Sequence, residues 1–254
     1  MSLSNRVESH RILTDTTQIR NVAEQYILQR AKTASPTQRL DILEAGCGRE
    51  WTLDLGQTEY KLTGVDLDAH ALDARINEMK DLDEAIVGDL CSVDLSESTY
   101  DVIFNAYVIE HIEEAHVALE NFTQWLKPNG QLILLFPDRD TVYGFLTRIT
   151  PHWLHVFYLR YLSPWKNKNA GKEGYGPYPT YHAPVVSRQG IEQFCQENGL
   201  SIEAEYASNT YITQNSGLKA LLLRTIVSTV CLLSLGTLES RYNNLIYLIK
   251  KSPA

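Results

Sequence analysis

Cysteine is scarce in this sequence: there are only Cys47, Cys91, Cys195 and Cys231, and none stands close to another. That scatter fits neither a disulfide framework nor a zinc knuckle, and it points to a reducing, cytoplasmic compartment. Basic charge is also in short supply. Against 31 Asp and Glu there are 23 Lys and Arg, a net charge of −8. A chain that coats nucleic acid needs a basic surface to meet the phosphates, so no nucleic-acid partner is expected. Residues Met1 to Arg20 are polar and charged and lack the apolar core of a signal peptide. The longest apolar stretch, Leu218 to Leu235, contains Lys219 and Arg224 and is barely long enough to cross a bilayer. It reads as a buried or membrane-resting helix. His152 and His155 could share a helix face, but no third and fourth ligand accompany them, so no metal is expected.

What the sequence does have is enough apolar material, 44% of 254 residues, to bury one sizeable core. One domain over 1–254 is expected. It divides into an N-terminal helical cap (1–39), a cofactor-binding half (40–140), an inserted lid and acceptor region (141–186) and a C-terminal part of the sheet with an apolar helix (187–254). In the cap, Ile19, Val22, Ala23, Tyr26 and Ile27 recur at helical spacing and predict a helix over Thr17 to Ala34. From Leu40 onward short apolar runs alternate with helical stretches, the pattern of parallel strands with crossover helices. Strands are expected at Leu40 to Ala45, Lys61 to Asp66, Ala85 to Val87, Asp101 to Asn105, Gln131 to Phe136, Ser201 to Tyr206 and Asn244 to Ile249. The fold class is therefore α/β, a doubly wound, mostly parallel, seven-stranded sheet with an antiparallel edge.

Ligands of such sheets collect beyond the carboxyl ends of the strands, and the chemistry-bearing residues fall there. The first strand runs through Glu44 and Ala45 into Gly46, Cys47 and Gly48, where two glycines allow a tight turn and close approach of a ligand. The second ends at Asp66, about 20 residues beyond the turn, the spacing at which an acid holds both hydroxyls of a ribose. Asp68 reads as a helix cap. A dinucleotide site wants a third glycine where this chain has Trp51, and Glu44 is a poor neighbour for a pyrophosphate. Glu44 suits a cofactor carrying an ammonium and a sulfonium.

With these residues in order, the segment from Leu40 to Phe136 resembles the class I S-adenosylmethionine methyltransferases. The E-A-G-C-G loop is Glu44 to Gly48, and in G-V-D-L-D the resemblance makes Asp66 the ribose acid and Leu67 the residue that packs on adenine. It places Asp89 near the adenine amino group and the Leu90 amide on the ring, and it puts Asn105 and Ala106 at the methionine end. Tyr100 to Ile112 and Leu126 to Phe136 match the segments that complete the cofactor half. S-adenosylmethionine is thus the expected cofactor.

The sulfonium activates the methyl group, so the protein has mainly to align an acceptor and, where a proton must leave, to supply a base. His111 is the first candidate for that base and His182 the second; a helix-start histidine that merely shapes the pocket remains the alternative for His111. The lid carries Tyr143, Phe145, Trp153, Phe157, Tyr158, Tyr161 and Trp165, which could either pack internally or wall an acceptor pocket. Its Lys166, Lys168 and Lys172 form either a solvated loop or a patch for anionic lipid headgroups. The expected partner is a small, apolar or lipid-like acceptor, with peripheral membrane contact. Two other readings stay open: a nucleotide-dependent oxidoreductase or epimerase, and a silent cofactor-binding module.

Overall fold

The central strands are predominantly apolar because helices cover both faces of the sheet, so no face needs to alternate toward water. In a computed structural model, which describes residues 11–33, 39–162, 167–172, 176–181, 183–210 and 217–253, these runs form β2 (Leu40–Ala45), β3 (Tyr60–Asp66), β4 (Glu84–Val87), β5 (Tyr100–Ala106), β6 (Leu126–Pro137), β7 (Leu200–Ser208) and β8 (Asn244–Lys251). A two-residue strand, β1 (Ile12–Leu13), adds an eighth at the margin. The order is β1-β7-β8-β6-β5-β2-β3-β4. All seven expected strands are present. The antiparallel strand, however, is not at the edge: β8 pairs antiparallel with both β6 and β7 and lies between them.

Helix α1 (Thr16–Thr33) and α2 (Ala69–Ala74, prolonged by a π turn over Arg75–Met79) lie against one face of the sheet. Helices α3 (Ala115–Trp125) and α6 (Arg188–Glu197) cover the other, burying Leu119, Phe122, Ile191 and Phe194. Between β6 and α6 come α4 (Val142–Ile149) and α5 (His152–Phe157), and between β7 and β8 comes α7 (Gly217–Leu233). Lys127 to Gly130 form an irregularity inside β6, where three more residues than on β5 separate the Tyr100↔Leu126 and Val102↔Gln131 pairs.

The crossover from β2 to β3 contains no helix. Residues 46–59 instead form a loop, pinned by buried Leu53 and Leu55 and by an Asp54 Oδ1 that accepts from the Gly56 amide at 2.9 Å. Without a helix there is no macrodipole aimed at the glycine turn, and the usual attraction for a pyrophosphate is missing. Strand order reverses between β2 and β5, and the residues that follow both strands face the crevice at that switch point.

Candidate active site

Each glycine of the β2 loop has its own reason. Gly46 adopts φ +76°, and a Cβ there would meet the Val108 side chain at 2.4 Å, so it serves packing as well as the turn. Gly48 adopts φ +56° with nothing within 4 Å of where its Cβ would stand; this is the position at which a ligand can approach the backbone. The Gly48 amide donates to Asp66 Oδ2 at 2.8 Å and the Asp68 amide to Asp66 Oδ1 at 2.9 Å. Asp66 therefore sets the loop while remaining partly exposed, each oxygen keeping further acceptor capacity for a hydroxyl. Asp68 caps α2, accepting from the His70 and Ala71 amides.

Beneath the loop is a residue that sequence reasoning missed. Arg75 is fully buried; its Nη2 donates to Glu44 Oε2 at 2.8 Å, its Nη1 to the Cys47 carbonyl at 2.7 Å and its Nε to Asp81 Oδ1 at 2.7 Å. Asp81 also accepts from the Trp51 amide at 3.0 Å. The guanidinium thus ties the end of β2, the loop and the π turn together. Its one signal in the sequence is its place three and four residues after Leu72 and Ala71, on the buried face of the helix. Burial pushes the Glu44 carboxyl above the ordinary glutamate range, opposed by the Arg75 charge. Around the loop the carboxylates of Asp66 and Asp81 and the Glu44–Arg75 pair stand near Arg20 of the cavity wall and Arg49, which pairs with Asp68.

A cavity of about 450 Å³ opens over the loop. Its lining includes Glu44, Gly46, Gly48 and Ala106, Ile19, Arg20 and Ala23 of α1, and Leu53, Phe104 and Leu135, with polar Thr16, Glu50 and Thr52 among the remainder. The N-terminal cap is therefore part of the site, which helix periodicity alone did not reveal. The lid aromatics do not line this cavity: Trp153, Phe157, Tyr158 and Tyr161 are exposed, and Trp165 lies outside the described residues. Trp51 stands behind the wall, edge-on to Phe104 with 5.7 Å between ring centroids.

At the end of β5 the Asn105 side chain is fully buried, its Nδ2 donating to the Ala45 carbonyl at 2.8 Å, so it braces β2. The next side chain but one, Tyr107, takes its place at the wall, held at φ +59°, a strained backbone of the kind that clusters at functional sites. Its hydroxyl reaches inward and accepts from Asn244 Nδ2 at 3.4 Å; burial there and nearby Glu110 push it up to about 12. Leu67 is 72% exposed beside the rim and Asp89 is exposed, its Oδ1 capping the Cys91 amide, while Leu90 is buried in the core.

His111 stands outside the cavity lining, in a short 3-10 turn, Ile109–His111. Its Nδ1 lies 2.7 Å from the Pro179 carbonyl, which can only accept, so Nδ1 carries the proton and Nε2 the lone pair. Burial holds its pKa below the usual histidine value and favours the neutral ring. Tyr178 meets the imidazole edge-on, and the Tyr181 amide donates to the Glu110 carbonyl at 3.0 Å, so the end of the lid is fastened to this turn. His182 lies outside the described residues. No cluster of three or more metal-ligating side chains occurs among the described residues.

Glu110 is the other residue that the sequence did not announce. It is buried, its Oε2 has no partner among the described residues, and its Oε1 lies 3.8 Å from His111 Nε2. Burial pushes its carboxyl up to about 8. The folded protein therefore holds a proton that the unfolded chain releases at ordinary glutamate pH, and this contribution to stability is lost as pH rises through about 8. Glu110→Gln is expected to flatten that fall, leaving the variant more stable than the parent at about pH 9 and little changed at about pH 5. Urea denaturation at the two pH values measures it, and parallel curves for both proteins would contradict it.

The chain as a whole has counterparts among known proteins. A family model described as a methyltransferase domain matches residues 17–205, well over half of the chain. This chain belongs to the methyltransferase domain family. Phosphoethanolamine N-methyltransferase 1 of Triticum aestivum is 29% identical over 103 residues, 37% of this chain and 20% of that enzyme. A probable S-adenosylmethionine-dependent methyltransferase of Mycolicibacterium smegmatis is 32% identical over 103 residues, 40% of this chain and 39% of that protein. The matches thus span well under half of these relatives. Among solved structures, a SAM-dependent methyltransferase of Methanosarcina mazei superposes with a TM-score of 0.51 at 13% identity, covering 86% of this chain and 95% of that one. A geranyl diphosphate methyltransferase in complex with SAM gives 0.52 at 12% identity, covering 92% and 86%. The methyltransferase fold is shared, S-adenosylmethionine is the cofactor that goes with the family, and the oxidoreductase or epimerase reading falls away.

Proposed function

We propose that this chain transfers the methyl group of S-adenosylmethionine to a small, apolar or lipid-like acceptor. The observation that carries the reading is the cavity of about 450 Å³, which runs from the glycine loop to an apolar wall of Ile19, Ala23, Leu53, Phe104 and Leu135. The relatives' names range from phosphoethanolamine to geranyl diphosphate, so the lining of this cavity, and not the family, must choose the acceptor.

The cofactor supplies a methyl group already activated by its sulfonium. In this reading Glu44 faces the cationic end, the Gly48 amide and Asp66 hold the ribose side, and Leu67, Asp89 and the Leu90 amide border the adenine. Ala106 and Tyr107 shape the wall toward the acceptor. His111, neutral and oriented through Nδ1 by Pro179, takes the acceptor's proton at Nε2 when one must leave.

Calorimetric titration should show binding of S-adenosylmethionine and its demethylated product but not of a nicotinamide cofactor. Labelled cofactor incubated with apolar extract should then yield a product heavier by one methyl group. A product formed only from polar extract would rule out an apolar acceptor. With a methylated product in hand, His111→Asn keeps a donor for Pro179 but cannot exchange the proton. It should bind cofactor normally and slow transfer to a protonated acceptor by about 100-fold. Parental rates in this variant would reduce His111 to a fastener of the lid.

A further inference from the structure

Two insertions leave the sheet side by side. Pro137 at the end of β6 and Ser208 at the end of β7 both pair with Asn244 at the start of β8, so the excursions containing α4 and α5 and containing α7 share one root at the carboxyl edge. Helix α4 packs on α7, and the Val142 amide donates to the Glu239 carbonyl at 2.8 Å. This is the edge of the sheet on which the cofactor loop and the cavity lie.

The charge of these insertions is opposite in kind to that of the rest of the chain. Not one of the 31 Asp and Glu residues falls between Thr141 and Lys172 or between Tyr206 and Leu238. The first stretch carries Arg148, Arg160, Lys166, Lys168 and Lys172 and the second Lys219 and Arg224, in a protein of net charge −8. The same two stretches hold most of the large apolar side chains left in water. Trp153 is 67% exposed, Leu232 76%, Leu233 78% and Leu235 92%, with Phe157 and Tyr161 also exposed. Trp and Tyr are the side chains that settle at a membrane–water boundary, with one end apolar and the other wet. Among the described residues no helix is long and apolar enough to cross a membrane.

We propose that the face formed by α4, α5 and α7 docks on an anionic lipid bilayer, its aromatic and leucine side chains entering the headgroup boundary and its cations meeting lipid phosphates and carboxylates. A second copy of the chain is a poorer occupant, because a symmetric contact would set cations against cations with no carboxylate between them. Docked in this way, the mouth of the site would face the bilayer that holds an apolar acceptor. This consequence rests on the proposed transfer to an apolar acceptor; the docking itself does not.

Flotation of the full chain with phosphatidylcholine vesicles, with and without phosphatidylserine, tests it. At least about tenfold more protein should float with the anionic vesicles, and added salt should release it. Trp153→Ala/Phe157→Ala and Lys168→Glu/Lys172→Glu should each cut that binding severalfold while leaving calorimetric affinity for S-adenosylmethionine unchanged, which separates failure of the docking from failure of the cofactor site. Equal association with both vesicles, association with neither, or a concentration-dependent dimer that these variants dissociate would overturn the proposal.

Discussion

Asp66→Ala is expected to weaken S-adenosylmethionine binding about 100-fold, close to 3 kcal/mol, because hydrogen bonds to a charged acceptor are each worth about 1.5–3 kcal/mol and the ribose side offers two hydroxyls. The same carboxylate receives the Gly48 and Asp68 amides at 2.8 and 2.9 Å, so the variant also loosens the loop. Asp66→Asn separates the two effects: its carbonyl oxygen can still accept one amide while the charge is gone, and its affinity should fall between parent and alanine. Calorimetric titration of the three proteins measures this. Alanine binding like the parent would mean that the site around Gly48 has been misassigned.

Arg75→Met is expected to destabilise the fold severely. Removing one partner from a buried ion pair leaves an uncompensated charge and typically costs about 3–5 kcal/mol. Arg75 satisfies Glu44, Asp81 and the Cys47 carbonyl at once, with Glu44 only 6% exposed. Adding Glu44→Gln to Arg75→Met should recover part of the loss, since the stranded carboxylate is then neutral. The single variant should also be less impaired in acid, where Glu44 takes up a proton; with its carboxyl raised by burial and no guanidinium opposing, its contribution to stability falls as pH rises through its folded value. Urea denaturation of the parent, both single variants and the double variant closes the cycle. A loss in Arg75→Met below about 1 kcal/mol would show that the guanidinium is replaceable by packing.

Much of the cofactor half was legible in the sequence. Apolar runs ending in glycine or acid marked β2, β3 and β5, because backbone conformation and burial are dictated locally and recur at a fixed period. Gly48 and Asp66 were legible for the same reason: one needs a positive φ and the other a set spacing. That Asn105 braces β2 was not legible, because a strand residue's neighbours in sequence do not say whether its side chain bonds the adjacent strand. The β2–β3 crossover is a loop and not a helix because Asp54, Gly56 and buried Leu53 and Leu55 pin it.

By itself the sequence determined the α/β alternation, the order of the motifs, the preference for a cationic over a pyrophosphate cofactor, and the two acid-free stretches. These are properties of residue type and spacing along one chain. Only the tertiary structure decided that Arg75 ties Glu44 to Asp81, that α1 walls the cavity, that the Pro179 carbonyl orients His111, and that the acid-free stretches spring from one edge of the sheet. Each of those facts joins residues far apart in the chain, and such contacts are settled by how the sheet is ordered and how its helices pack, which no local pattern encodes.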